Sequence, residues 1–256
     1  MFFWLRRLLG LKMPSGALGH VVDTRDLKFD DHFVTGSLVQ KVIPDMRLWG
    51  YVPNQGRYER CVGYMLNRML QVVIYQVMKE DGSSNPYVHH SENFIWGLGR
   101  EMAGWPKENR GMYIRDAFKI LFRIGTVPIG YFPKNRSPMK IPGEDLKAIA
   151  DNYKRLLVKK KFKYYLLNKQ RIKEIVSKGI IVGVGMMINK QFFSNKKYID
   201  DSSSGNYAHA MTVEGIKEKD GIVYYKMGNW YGRGYVYVPE HLAQKWIYEA
   251  WVLEKK

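Results

Sequence analysis

Between residues 61 and 79 the apolar positions Val62, Met65, Leu66, Met69, Leu70, Val73, Ile74 and Val77 recur at spacings of three and four. No proline and one glycine, Gly63, interrupt them, so the pattern predicts a long helix with a wide buried face and Cys61 in its first turn. Three shorter helices follow. Residues 92–102 start behind Ser91, a good N-cap, and end near Gly104; 113–124 place Ile114, Ala117, Phe118 and Leu121 on one face; 144–157 follow Pro142 and Gly143. After Gly179 the period changes. Residues 180–188 read as a buried strand, and 209–217 with 222–227 as a hairpin turned by Asp220-Gly221. Residues 234–238 and 248–253 add two strands, with a short helix over 239–246 between them. Helices first and strands later indicate an α+β chain: a helical lobe at about 55–170 and a β lobe at about 180–256. Ahead of them, residues 12–44 carry the breakers Pro14, Gly16, Gly19, Gly36 and Pro44 and read as an extended arm.

Composition narrows the chemistry. With 46% apolar positions in 256 residues the chain can bury a core without disulfides or a structural metal. It has one cysteine, Cys61, which excludes an internal disulfide framework and a Cys-rich zinc site. A lone cysteine is either a small buried hydrophobe or a nucleophile. The start, MFFWLRRLLGL, is apolar but split by Arg6 and Arg7, so it reads neither as a spanning helix nor as a secretory leader. Residues 1–12 are expected to form a short helix docked on the protein, a partner or an anionic membrane surface. A reducing, cytoplasmic or virus-associated setting is expected.

The net charge is +17, and nine of the basic residues lie in segment 154–173, from Lys154 and Arg155 to Lys173, which holds no acid. Tyr153, Phe162, Tyr164 and Tyr165 are interleaved there. Two readings stand side by side: a contact for an anionic partner (nucleic acid, acidic cell-wall polymer or lipid head group), or a solvated helical face. His89-His90 suggests a metal pair, but adjacent loop histidines point apart and no Cys or carboxylate cluster completes a site. A solvated cap is expected instead, and no cofactor or metal is.

A thiol in the first turn of a helix faces the positive end of the helix dipole and unpaired N–H groups, which favour the nucleophilic thiolate. An oxyanion formed at that thiol could accept the same N–H groups and a side-chain amide, and Gln55 lies six residues upstream. The base must be a histidine brought in by folding, and His209 begins a strand. Asn229, at the end of the next strand, could orient its ring.

Here the chain resembles the papain family of cysteine peptidases. Asp45-Met46-Arg47, Gln55-Gly56, Cys61, His209-Ala210, Asn229-Trp230-Tyr231-Gly232 and Gly234-Tyr235 follow the order of that family's motifs. The resemblance spans residues 45–256 and fits a bacterial or virus-encoded type without disulfides. It implies a helical lobe, with its long central helix starting at the nucleophile, against an antiparallel β-barrel-like lobe, and a cleft between them. It further implies Cys61 as nucleophile, His209 as general base and acid, Asn229 as orienter, Gln55 as oxyanion donor, a polypeptide substrate, and Trp230 as a shield for the Asn–His hydrogen bond. Val62-Gly63 replaces the Trp-Ala of plant and lysosomal members, and Asn229 is followed at once by Trp230, without an intervening serine. Gly97 and Gly99 are the candidates for the glycines that bind substrate backbone in the family.

The expected activity is peptide-bond hydrolysis by a thiol endopeptidase. The alternative is a catalytically inactive papain-like protein that binds or assembles. An acyltransferase or cell-wall endopeptidase would use the same groups, although peptidoglycan-cleaving folds place Cys and His closer than the 148 residues between Cys61 and His209.

Overall fold

The long apolar repeat folds as helix α1 (Cys61–Glu80). A computed structural model of the chain describes residues 17–18, 42–46, 53–80, 82, 89–133, 141–203, 205–232 and 234–255, apart from the side chain of Leu156. In it α1 is a central helix rather than a helix with one wide buried face: every residue from Cys61 to Ile74 is buried. A helix covered all round must satisfy its polar side chains internally. Asn67 does so by accepting the His90 backbone N–H at 3.2 Å. Arg68 forks onto Glu214, with Nε to Oε1 at 3.0 Å and Nη2 to Oε2 at 2.6 Å, and also donates to the Pro44 carbonyl. Thr212 Oγ1 and Tyr235 Oη donate to the same carboxylate at 2.7 and 2.9 Å, and the Met46 N–H donates to Tyr235 Oη.

Helix α2 (Glu92–Met102) begins where the N-cap signal lies: Ser91 Oγ accepts the Phe94 N–H at 3.1 Å. It crosses α1 at Gly63, where an added Cβ would lie 2.6 Å from the Glu92 carbonyl oxygen. Helices α3 (Ile114–Arg123) and α4 (Glu144–Lys159) complete the helical side, and α3 buries the apolar face its pattern predicts. Segment 89–91 is anchored by the Ser91 N–H to Val127 O and the Ile129 N–H to His89 O. His90 is thereby buried, at 1% exposure, with its ring edge-on to Tyr153 at 5.0 Å. The expected solvated cap is therefore corrected: backbone pairing with 127–129 draws the histidine inside.

The sheet has six antiparallel strands in the order β1-β6-β2-β3-β4-β5: β1 (Phe162–Leu166), β2 (Val182–Ile188), β3 (Tyr207–Lys219), β4 (Ile222–Asn229), β5 (Gly234–Pro239) and β6 (Ile247–Lys255). Asp220 and Gly221 turn the β3–β4 hairpin with φ of 52° and 72°, the left-handed pair a tight hairpin demands. Helices α5 (Ile172–Ser177) and α6 (Glu240–Trp246) flank the sheet. Alternation along β2 separates two cores. Val182, Val184 and Met186 join Ile172, Met211, Val236 and Trp246 in one, while Ile181 joins the core of Met65, Phe94, Phe118 and Trp251 around α1. Gly183 lets α1 lie against the strand, since an added Cβ would meet Met69 Sδ at 2.5 Å. Strand β1 and helix α5 arise within the basic segment, where the sequence pattern signals neither.

Among the described residues no helix is long and apolar enough to cross a membrane. Residues 1–12, expected to dock as a helix, lie outside the described residues.

Candidate active site

The site forms where the start of α1 meets β3 and the end of β4. Cys61 is the first residue of α1, and its Sγ accepts the backbone N–H of Ala210 at 3.3 Å. His209 is thus the immediate neighbour of the residue whose amide touches the thiol. The approach to α1 is pinned to the chain following β4: the Gln55 N–H donates to Trp230 O at 2.7 Å, and the Gly232 N–H to Pro53 O at 3.0 Å. Gly56 makes the turn with φ of 61°, its N–H donating to Asn54 Oδ1. Arg60, buried just ahead of Cys61, donates to the Gln55 carbonyl at 3.3 Å and to Asn93 Oδ1 of α2. Its guanidinium lies over the rings of Tyr58 and Tyr64.

Folding therefore gathers residues separated by up to 174 positions, and Gln55, Cys61, His209 and Asn229 are each 0% exposed. Gln55 Nε2 donates to Tyr58 O at 3.1 Å. The Asn229 amide is held at both ends: Oδ1 accepts the Trp230 N–H at 2.9 Å and Nδ2 donates to Phe192 O at 3.0 Å. Neither ring nitrogen of His209 has a hydrogen bond of ordinary geometry. Burial pushes this imidazole down to about 3, against a smaller pull toward the charged form from the Asn229 amide. It is neutral at physiological pH in this closed arrangement.

Two residues next to the expected four shape the site, and adjacency in sequence could not sort their roles. The Trp230 indole donates to Ala210 O at 2.6 Å and stacks on Tyr64. The ring stacked on His209 is that of Tyr231, at 5.2 Å and 23° between planes, with Phe193 edge-on behind it. Desolvation and the charges of Cys61 and Glu59 push the Tyr231 phenol well above its usual range. The Ala210 amide was missed for a different reason, since a backbone donor has no side-chain signature.

Gly97 and Gly99, the candidates for substrate-backbone glycines, lie buried inside α2, where the helix occupies their backbone groups. Nearer the thiol, the loop Asn109–Met112 is tied to the approach to α1 through the Glu59 N–H to Asn109 Oδ1 and the Gly111 N–H to Glu59 Oε2, both at 3.0 Å. Ala17 and Leu18 run parallel to this loop at Met112, with the Leu18 N–H donating to Met112 O at 3.1 Å.

Among the described residues no group of His, Cys, Asp and Glu is arranged to hold a metal; His89 faces Glu92 at 3.4 Å, away from the His90 contact with Tyr153. The basic segment is not one face. Lys154 and Arg155 pair with Asp151, Lys169 donates to the carbonyls of Gln244 and Ile247, Arg171 pairs with Glu174, and Lys173 with Glu240.

No protein-family model and no curated sequence matches the chain. Solved structures do. Xylellain, a cysteine protease from Xylella fastidiosa, superposes with a TM-score of 0.75 at 20% identity, covering 96% of this chain and 97% of its own. The ragweed pollen cysteine protease Amb a 11, in its proform, gives 0.65 at 16% identity over 100% of this chain and 74% of its own. Bromelain from Ananas comosus, in complex with the E64 inhibitor, gives 0.57 at 16% identity over 83% and 98%. The helical side packed on an antiparallel sheet, with Cys61 at the start of the central helix, is the fold of the papain-like cysteine proteases.

Proposed function

We propose that the protein is a cysteine endopeptidase that cleaves polypeptides through a Cys61 thioester. The observation that carries this reading is the 3.3 Å contact between the Ala210 N–H and Cys61 Sγ, which sets the His209 strand against the thiol at a helix start. His209, neutral when buried, takes the thiol proton, and the sulfur adds to the scissile carbonyl carbon. The oxyanion accepts from the Cys61 N–H and from the Gln55 amide, which has a second hydrogen besides the one given to Tyr58. Collapse breaks the C–N bond as His209 protonates the leaving amine. Water, deprotonated by His209, then attacks the thioester carbonyl carbon; collapse breaks the C–S bond and releases the acid, and the proton held by His209 returns to the sulfur or stays on the imidazole. Asn229, clamped between Trp230 and Phe192, orients the ring.

The complete burial of all four side chains is what favours the second reading, a catalytically inactive binding or assembly protein. Peptide turnover together with labelling by a thiol-directed epoxide separates the two. In the first reading the wild type cleaves peptides and labels at Cys61, Cys61→Ala and His209→Ala abolish turnover with unfolding nearly unchanged, and Gln55→Ala lowers it roughly 10²-fold. Full activity in Cys61→Ala refutes the mechanism, and absence of both cleavage and labelling in the wild type establishes the inactive scaffold.

A further inference from the structure

The far half of the β3–β4 hairpin has one face inside and one in solvent. Ile216 and Tyr225, direct partners across the hairpin, pack into the core of the sheet. Lys217 pairs with Tyr224, and Lys226, two residues on, pairs with Tyr237 of β5. Lys217, Lys219, Tyr224 and Tyr237 therefore project to the opposite face. Segment Lys197–Ile199 closes the edge of β5 there: the Ile199 N–H donates to Tyr237 O at 2.9 Å and the Tyr237 N–H to Lys197 O at 2.8 Å. It lays Tyr198 on Tyr237, with ring centroids 5.0 Å apart and 21° between planes, and sets it perpendicular to Tyr224 at 5.2 Å.

Three ammonium groups converge on these rings. Lys217 Nζ donates to Tyr198 Oη at 2.9 Å and lies 5.5 Å from the Tyr237 centroid. Lys219 Nζ lies 4.8 Å from the Tyr198 centroid, and Lys197 Nζ 5.6 Å from that of Tyr237. The lysines are exposed and the tyrosines half-buried. Nearby carboxylates leave positive charge in excess: Asp200 pairs with Lys196, Asp220 lies 3.6 Å from Lys219, and Glu218 projects to the other face. Among the described residues neither Lys197 nor Lys217 has a carboxylate partner. The hydrogen bond from Lys217, with the charges of Lys219 and Lys197, holds the Tyr198 phenol below its usual range.

We propose that this face docks an extended acidic segment of another polypeptide, at a place separate from the thiol. Lys217 and Lys219 stand two residues apart on one strand, about 7 Å, which is the repeat at which an extended peptide presents alternate side chains. Carboxylates at alternate positions therefore meet both lysines. Ammonium groups already held on the rings lose less side-chain freedom when the segment binds. A single-stranded nucleic acid suits the face less well. It needs open ring faces for its bases, and those of Tyr198 and Tyr237 are taken by each other and by the ammonium groups. Along β3, Lys217 lies about 24 Å from Ala210 at strand spacing, so the docked segment lies outside the reach of a residue bound beside Cys61.

The test is fluorescence anisotropy with the full-length protein and a labelled peptide of alternating glutamate and serine. Binding is expected, and it should weaken as salt rises from about 50 to about 500 mM. A peptide of alternating lysine and serine should not bind. Lys217→Glu with Lys219→Glu should weaken binding by roughly 10-fold or more, as two exposed ion pairs are lost and reversed. Lys159→Glu with Lys163→Glu makes the same change in net charge at exposed lysines elsewhere and should leave affinity within about twofold. No binding by the wild type overturns the docking face whatever the variants do. Equal losses in the two double variants also overturn it, because net charge would then suffice. A single-stranded oligonucleotide of equal charge that binds more tightly, and loses that affinity in Lys217→Glu with Lys219→Glu, overturns the acidic polypeptide as occupant and assigns the face to nucleic acid. None of these outcomes depends on turnover, so the peptidase reading stands or falls separately.

Discussion

Replacing His90 with phenylalanine isolates one buried imidazole as a source of acid sensitivity. His90 is held down to about 3, chiefly by burial and secondarily by the neighbouring His89, whereas an unfolded chain presents an ordinary histidine near 6.5. Below pH 6.5 the unfolded state therefore binds the proton that the folded state refuses, so stability falls as pH drops toward 3. At about 1.4 kcal/mol per pH unit, going from pH 7 to 4.5 removes about 2 to 3 kcal/mol through this one group. Phenylalanine preserves the volume and the edge-on contact with Tyr153 and deletes two ring nitrogens that have no hydrogen-bond partner. His90→Phe should be as stable as the wild type or more so at pH 7. Urea unfolding at both pH values, with m held common, should show the variant losing about 2 to 3 kcal/mol less than the wild type. Carboxylates that titrate in this range, and the buried His209, contribute equally to both proteins and cancel in the difference. Equal losses in the two would refute the assignment of His90 as a buried neutral group.

Two further outcomes test other parts of the structure. Tyr231→Ala should uncover His209 and let its imidazole rise from about 3 toward 6.5, read by NMR titration of the ring; an unmoved titration would mean that another element desolvates it. Breaking the buried fork by Arg68→Met should destabilise the fold by about 3 to 5 kcal/mol, because Glu214 would be left charged and covered, and the double replacement Arg68→Met with Glu214→Leu should recover much of that loss in thermal or urea unfolding.

The four expected site residues were legible because each carried a local signal: a thiol at a predicted helix start, an amide ahead of it, a histidine at a strand start and an asparagine at a strand end. The arrangement of rings around them was not. Whether Trp230 or Tyr231 covers His209 depends on the pairing of 230–232 with 53–55, two segments about 175 residues apart, and no local pattern encodes that registry.

The same division runs through the whole fold. The sequence by itself determined α1 to α4, β2 to β6 and the Asp220-Gly221 turn, because apolar periodicity, caps and left-handed turn residues act within a few positions of the chain. The packed chain alone settled that α1 would be covered on all sides, that β1 would form by adding to β6, and that His90 would go inside while Lys169 reached the carbonyls of Gln244 and Ile247 and Lys173 the carboxylate of Glu240. Those outcomes rest on contacts between distant segments. Burial, hydrogen-bond satisfaction and the pairing of charge become defined for a residue only when the segment opposite it is in place.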